Sequence, residues 1–189
     1  MKAFTTVCTV LMLLAAGAVA QQKPQSPPTI ARVMDGQLKS VEGEFVSAAE
    51  AMPEDKYGFA PTEGEFKGVR DFATQVKHVA TVNYLVGAAM MTAKAPVDVS
   101  NENGSASMTK KDDIVKYLKD SFAYLHKAYG TLNETNAVAL VPSPFGQGKA
   151  TRLGLATLIV GHCFDHYGQM VEYLRMNGIV PPASRPPAR

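Results

Sequence analysis

The sequence predicts an all-α protein, a four-helix bundle that follows an N-terminal signal peptide. Apolar residues recur every three or four positions in four separate segments, as on the buried face of an amphipathic helix. No segment shows the sustained apolar–polar alternation of a strand, so we expect no sheet. The chain has 189 residues, of which 46% are hydrophobic and 19% charged, enough for one compact domain or two small ones at most.

The N-terminus has the pattern of a secretory signal peptide. Met1-Lys2 gives a basic start, an apolar run follows over residues 7–14, and Ala18-Val19-Ala20 is a small-x-small cleavage site. The apolar run is too short to span a bilayer. The expected division of the chain is a signal peptide over 1–20, a Pro- and Gln-rich tether over 21–28, a four-helix bundle over 29–178 and a Pro-rich tail over 179–189.

Cleavage after Ala20 would leave an exported domain, periplasmic or secreted in a bacterium, with no stable membrane insertion. Loss of Lys2 lowers the formal net charge from +2 to +1, and Cys163 becomes the single cysteine. The mature domain therefore has no intrachain disulfide and depends on packing, or on a metal, for stability. Its small positive excess is not the footprint of a nucleic-acid-binding protein.

The first two helices are predicted from apolar spacing and from stop signals. Pro53 ends the first helix, because proline cannot continue it. Thr62 and Glu65 form a capping box that we expect to start the second helix, which runs to about Lys94. The apolar positions of the first helix are Ile30, Met34, Leu38, Val41, Phe45, Ala48 and Met52. Those of the second are Phe66, Val69, Phe72, Val76, Val79 and Val86.

The last two helices are separated from their neighbours by polar or Pro- and Gly-containing loops over residues 97–108 and 138–149. Thr109 with Asp112 is the expected cap of the third helix, and Thr151 that of the fourth. Asn177-Gly178 is expected to end the fourth helix in a left-handed conformation. The longer connections allow a crossover bundle as well as simple up-down winding.

The histidines carry the main chemical signal. His162 and His166 lie four residues apart, so both side chains leave the same face of the fourth helix and can bind one divalent ion. That face also carries Leu155, Ile159 and Met170, which places both imidazoles towards the core. His78 lies midway along the second helix and can face this pair across the bundle. Three histidine ligands would leave a coordination position open, as in catalytic sites.

The residues around the histidines have plainer interpretations. Cys163 points about 100° away from His162 and is expected to be a packed core thiol. Asp165 is expected at the surface, and His126 at the surface or at the edge of the core. Either Thr74 or Gln75 could accept the second ring N–H of His78, and the sequence does not choose between them. Tyr57 could orient a ligand, but packing over the bundle end is the more common use of such a ring.

Three stretches together resemble the DinB-like (DinB/YfiT) superfamily: residues 55–62, His78-Val79-Ala80, and residues 162–169 continuing through 173–178. The resemblance covers essentially the whole mature chain. It implies a four-helix bundle that holds a divalent metal, commonly zinc or nickel, with His78, His162 and His166 as the ligands. Some relatives are thiol transferases or thiol-dependent isomerases that use bacillithiol or mycothiol.

The expected function is that of a metal-dependent enzyme, of hydrolase or thiol S-transferase type, acting on an unknown small-molecule substrate. One alternative is a non-catalytic bundle that binds a metal or small ligand for structure, storage or sensing. Another is a metal-free core of neutral histidines, in which His162→Leu would leave stability equal or greater. A homodimer through helix faces is compatible with such a bundle. No general base is evident beside the histidines.

Overall fold

Four helices account for most of residues 27–186, the part of the chain that the computed structural model describes. The predicted all-α four-helix bundle is confirmed. The predicted signal peptide and most of the tether lie outside the described residues. The helices are α1 (Ile30–Ala51), α2 (Phe72–Met91), α3 (Lys111–Gly130) and α4 (Arg152–Met176). Single 3₁₀ turns lie at Glu54–Lys56 and Pro182–Ser184.

The bundle has a crossover topology. Both α1 and α2 pack against α3 and α4, so α1 and α2 lie diagonally across the bundle, as do α3 and α4. On α2 and α3, Thr81 contacts Tyr117 and Asn83 contacts Ser121, so these two helices run parallel. Because α2 and α3 are parallel, the connection between them, residues 92–110, must return along the length of the bundle, and we call it the return segment. This return segment passes beside α2, and it contributes to the site described below.

The start of α2 differs from the prediction. The helix begins at Phe72, where the Asp71 carboxylate accepts a hydrogen bond from the backbone N–H of Thr74 at 2.7 Å. The capping box at residues 62–65 does not start a helix, because Gly64 and Gly68 have φ of +115° and +81°, which a right-handed helix excludes. The helix ends at Met91, followed by Thr92 in a left-handed conformation.

Of the side-chain caps predicted for the last two helices, the structure confirms the one on α4 and not the one on α3. Helix α3 starts at Lys111 without a side-chain cap, so the expected cap at Thr109 is wrong. Instead, the carboxylates of Asp112 and Asp113 in its first turn interact favourably with the positive end of the helix dipole. The Thr151 cap of α4 is confirmed, since its hydroxyl accepts from Gly154 N–H at 3.0 Å. Gly178, with φ +73°, ends α4 as expected.

A two-stranded hairpin occupies part of residues 138–149, which the sequence predicts as a loop, and extends two residues beyond it. Strand β1 (Leu140–Pro142) pairs antiparallel with β2 (Lys149–Thr151). The expectation of no sheet is therefore wrong in this one place. Strands of three residues are too short to show an alternating pattern, and Gly146 and Gly148, both with positive φ, form the turn between them.

The core lies between the four helices and contains pairs of packed aromatic rings. The Phe45 and Phe122 rings meet between α1 and α3 with centroids 6.5 Å apart, and Tyr57 packs edge-on against Phe72. Ile179, in the segment predicted as a tail, also packs against the core. Among the described residues, no helix is both long enough and apolar enough to cross a membrane.

His126 joins α3 to α1 through two carboxylates. Its Nδ1 contacts Asp35, and its Nε2 lies 2.9 Å from Glu42 Oε2. Burial lowers the pKa of His126, but the hydrogen bonds to the Glu42 and Asp35 carboxylates outweigh that effect and raise the pKa above 6.5. The two ring nitrogens face different partners, so this cluster is an ion-paired bridge between helices. The structure thus places His126 at the edge of the core, as expected, and away from metal ligation.

We expect the contribution of His126 to stability to decrease as the pH rises. A raised folded-state pKa gives stabilisation that is complete below the unfolded pKa of 6.5 and is lost as the pH passes the folded value. His126→Gln should therefore lower the free energy of unfolding by about 1 kcal/mol near pH 5.5, and by less near pH 8.5. Urea denaturation at both pH values measures the difference. Lys116→Gln, which breaks the exposed pair with Asp120, is the control and should show no such pH dependence. An equal loss at both pH values would contradict the prediction.

Candidate metal centre

Three histidines from two helices converge on one point. His78 lies in the middle of α2, while His162 and His166 lie one turn apart on α4. The ring centroids are 4.5 to 5.2 Å apart, and each residue offers a ligand atom within 4.8 Å of the others. His78 and His166 are 6% and 7% exposed. The three rings are close enough to hold one metal ion, and we call them the histidine triad.

The backbone of the return segment fixes the orientation of His78. Its Nδ1 lies 2.9 Å from the carbonyl oxygen of Glu102. A carbonyl only accepts, so Nδ1 carries the proton and Nε2 keeps its lone pair. Neither side chain that the sequence offered as partner fills this role. Thr74 lies in the first turn of α2, and the Gln75 amide donates to Gln169 Oε1 at 2.5 Å.

The nitrogens of the triad fit a divalent ion. The lone pair of His78 Nε2 faces His162 Nε2 at 3.2 Å. Two ligands in a tetrahedral zinc site, with bonds near 2.05 Å, lie about 3.3 Å apart. In addition, His162 Nδ1 and His166 Nδ1 are buried and have no hydrogen-bond partner within residues 27–186. A buried unpaired nitrogen is costly. An ion held by His162 Nε2 would not pair His162 Nδ1, so the fit of the ion rests on the two facing Nε2 atoms.

The electrostatics of the triad favour neutral imidazoles. Burial lowers the pKa of His162 to about 3, with further lowering by His166, His78 and Arg70. Burial likewise lowers the pKa of His166 to about 4, helped by His78 and Arg70 and opposed by Asp165. The pKa of His78 is lowered by burial and by Arg70, against the hydrogen bond to Glu102. Neutral rings keep the lone pairs that a metal requires near pH 7.

Two residues near the triad were missed from the sequence. The Arg70 guanidinium donates from Nε to Asn103 Oδ1 at 2.7 Å and from Nη2 to Glu102 Oε1 at 2.9 Å. Glu102 therefore contacts His78 through its carbonyl and Arg70 through its carboxylate. No spacing rule links these positions. The one local signal was Gly104, a glycine with φ +71° that lets the segment approach α2.

The other residues considered from the sequence have structural roles. Cys163 is fully buried, with Sγ 3.7 Å from Asn83 Oδ1, and burial raises its pKa to about 12, so it is a packed thiol as predicted. Asp165 is exposed and accepts from Gln169. The Tyr57 hydroxyl donates to the Ala49 carbonyl at 2.6 Å, which leaves it for packing and not for ligand binding.

Comparison with known families identifies the fold that carries this triad. The sequence model of the DinB superfamily matches residues 37–170, which include all three histidines. The chain belongs to the DinB superfamily. A search of curated proteins finds no match.

Solved structures show the same DinB-superfamily fold. A DinB-like protein from Bacillus subtilis is 19% identical with a TM-score of 0.60, and 77% of this chain and 92% of that one are covered. A DinB-like protein from Bacillus cereus is 12% identical, with a TM-score of 0.62 and coverage of 78% and 95%. A conserved protein from Enterococcus faecalis is 13% identical, with a TM-score of 0.64 and coverage of 79% and 98%. At these identities the likeness shows the fold alone.

In this DinB-superfamily protein, Gly104→Ala should weaken metal binding from outside the triad. A Cβ at Gly104 would lie 3.0 Å from Lys77 Cβ and 3.3 Å from Thr81 Oγ1, in a backbone conformation that alanine rarely adopts. The segment must then move from α2, and the Glu102–His78 hydrogen bond lengthens. We expect a loss of about 2 kcal/mol in stability and a roughly tenfold weaker metal affinity.

Competition with a chelator of known affinity measures the change in metal affinity, and urea denaturation measures the change in the free energy of unfolding. Gly36→Ala on α1 is the matched control, because a Cβ there meets no atom within 4 Å. It should leave metal affinity unchanged and raise stability by about 0.5 kcal/mol. Unchanged metal affinity in Gly104→Ala would show that the Glu102 carbonyl does not support the triad.

Proposed function

We propose that this protein is a metal-dependent enzyme, of hydrolase or thiol S-transferase type, that acts on a small molecule. In this proposal His78, His162 and His166 are the ligands of one divalent ion, with zinc or nickel as the expected metal. The observation that carries the proposal is the convergence of three neutral imidazoles, each of which offers a ligand nitrogen within 4.8 Å of the others.

The donor set supports a catalytic metal over a structural one. Among residues 27–186, the cluster of side chains able to hold a metal contains three histidines and no fourth ligand. Structural zinc sites are closed by four protein ligands, whereas catalytic sites keep a position open for water or substrate. The three histidines would hold the ion, and the chemistry it would supply when bound is a lowered pKa of a water or thiol, which would give a nucleophile near neutral pH.

Other residues of the chain orient the triad and act on its charge. The Glu102 carbonyl holds the proton of His78 at Nδ1, which keeps Nε2 available and fixes the plane of the ring. Two carboxylates act electrostatically on the triad, Glu102 on His78 and Asp165 on His166. Asp165 is exposed and accepts a hydrogen bond from the Gln169 amide at 3.2 Å.

We also propose that the enzyme works outside the cytoplasm. The support is the pattern of residues 1–20, with a basic start, an apolar run and a small-x-small site. Mass spectrometry of the protein secreted by a bacterial host tests this. A mature N-terminus at Gln21 is the expected result, and an intact Met1 in the cytoplasmic fraction would overturn it.

Metal analysis of the mature protein tests the function. Inductively coupled plasma mass spectrometry of the untagged protein should find about one divalent ion per chain, and His162→Ala/His166→Ala should lose it. His126→Ala is the matched control and should keep the ion, since its ring pairs with Asp35 and Glu42. Absence of metal after reconstitution with zinc, nickel or cobalt would overturn the proposal.

A second candidate is a non-catalytic bundle that binds a metal or small ligand. One observation favours it: among the described residues, the Glu102 carboxylate beside His78 is paired with Arg70 and is not free to act as a general base. Cobalt-loaded protein discriminates between the two candidates. Visible spectra that change when a thiol such as cysteine is added would indicate an exchangeable position, whereas a tetrahedral spectrum that does not respond would favour the non-catalytic bundle.

A further inference from the structure

Arg70 is held beside the triad by two parts of the fold, α4 and the return segment. Its backbone carbonyl accepts from the Tyr173 hydroxyl of α4 at 3.0 Å. Its guanidinium reaches the return segment, where Asn103 and Glu102 accept from Nε and Nη2. The side chain is 29% exposed, so it is neither free in solvent nor part of the core. The position of the guanidinium is therefore set by the fold.

The guanidinium and the triad form one electrostatic unit. Glu102 joins them directly, because its carbonyl accepts from His78 while its carboxylate pairs with Arg70. A guanidinium cannot be a metal ligand, since it has no free lone pair to donate.

A fixed cation beside a cation-binding site needs an explanation. The charge of Arg70 repels a divalent ion in the triad, and one exposed Glu102 carboxylate only partly offsets this repulsion. An anion placed between the metal and the guanidinium would be attracted by both. The planar fork of arginine fits the two oxygens of a carboxylate, and the Arg70 side chain already holds a carboxylate, that of Glu102.

The existing ion pair is weak enough to exchange. The Glu102 side chain is 66% exposed, and exposed pairs contribute little because water and salt screen them. The hydrogen bond to His78 uses the backbone of Glu102, so the carboxylate can leave Arg70 without disturbing the triad. Among the described residues, the remaining N–H groups of Arg70 have no protein acceptor.

We propose that the substrate of this site is a small carboxylate, which pairs with Arg70 in place of Glu102 while its reacting group lies at the metal. This inference rests on the proposed metal centre and adds the substrate class to it. Arg70 is then the residue that selects an anionic substrate. Glu102 is the resident carboxylate that the substrate displaces.

Substitution of each partner of the Arg70–Glu102 ion pair tests the proposal, because the two changes should shift the binding of acetate, the probe, in opposite directions. Cobalt-loaded protein at constant ionic strength is titrated with sodium acetate, and the visible spectrum gives the dissociation constant. Arg70→Gln should weaken acetate binding roughly tenfold, with Arg70→Lys between the two, because a lysine keeps the charge but loses the fork. Glu102→Gln should tighten acetate binding roughly threefold, because it frees the guanidinium. Arg152→Gln, whose arginine bonds the Met90 carbonyl at the far end of α4, should change nothing.

The outcomes separate this inference from the metal centre itself. Failure of the wild-type protein to bind cobalt overturns the proposed function. Cobalt binding with no response to acetate, or with equal acetate affinity in wild type and Arg70→Gln, overturns only the carboxylate inference. Weaker binding in Glu102→Gln would show that the pair with Arg70 is structural, and would also overturn it. Inorganic phosphate is titrated in parallel, and tighter Arg70-dependent binding of phosphate would replace the carboxylate assignment.

Discussion

His166→Leu should change stability in opposite directions in the metal-free and the metal-loaded protein. Without metal, the leucine removes a buried Nδ1 that has no hydrogen-bond partner and replaces it with apolar surface. The free energy of unfolding should then stay equal or rise by about 1 kcal/mol. With metal, the variant loses a ligand, and the stabilisation that binding gives to the wild type is lost with it.

The size of the metal effect follows from mass action. A ligand that binds only the folded state stabilises it by about 4 kcal/mol at a free concentration one thousand times its dissociation constant. We therefore expect urea denaturation of the wild type in buffered zinc to show a gain near this value over the same protein in a chelator. His166→Leu should show little gain, because two ligands hold zinc far more weakly than three.

A control and two contrary results make the comparison decisive. His126→Gln should gain as much from zinc as the wild type does, since His126 pairs with α1 carboxylates and lies outside the triad. Equal gains in wild type and His166→Leu would remove His166 from the ligand set. A wild type that gains nothing from zinc, nickel or cobalt would support the metal-free core of neutral histidines.

The sequence predicted best those features that depend on local signals. Pro53 stops α1, the Thr151 hydroxyl caps α4, and Gly178 ends α4 in a left-handed conformation, each within a few residues of the signal. The predicted start of α2 is wrong because the segment before the helix carries two competing local signals. The capping box at residues 62–65 is valid as a pattern, but Gly64 within it and Gly68 after it, both with positive φ, exclude a helix before Asp71.

In the candidate site too, the features set by one helix could be predicted, whereas those set by contacts between distant segments could not. The spacing of His162 and His166 requires only one helix, so the sequence could pair them. The position of His78 midway along the second helix allowed it to face this pair, the resemblance to the DinB-like superfamily supported it as the third ligand, and the structure brings the three rings together. Arg70 and Glu102 could not be predicted, because their place depends on the return segment that the parallel arrangement of α2 and α3 imposes. Glu102 also acts through a backbone carbonyl, which any residue type supplies.

Phe122→Ala should cause the largest loss of stability among single changes in the α1–α3 half of the core. The Phe122 side chain is fully buried on α3, and its ring is tilted against Phe45 of α1 with centroids 6.5 Å apart. Truncation removes apolar contact from both helices and leaves a cavity, which costs about 4 kcal/mol. Native domains are stable by roughly 5–15 kcal/mol, so this one ring accounts for a large share of the margin.

Urea denaturation of Phe122→Ala and of Phe164→Ala tests this expectation. Phe164 on α4 is 39% exposed, so its truncation should change stability by about 0.5 kcal/mol or less. Similar losses in both variants would mean that the Phe45–Phe122 contact does not anchor α3 to α1. Metal content provides a second readout, because the triad is carried by α2 and α4. Phe122→Ala should keep its metal under conditions where it remains folded, since the contacts that stabilise the bundle here are separate from those that orient the histidines.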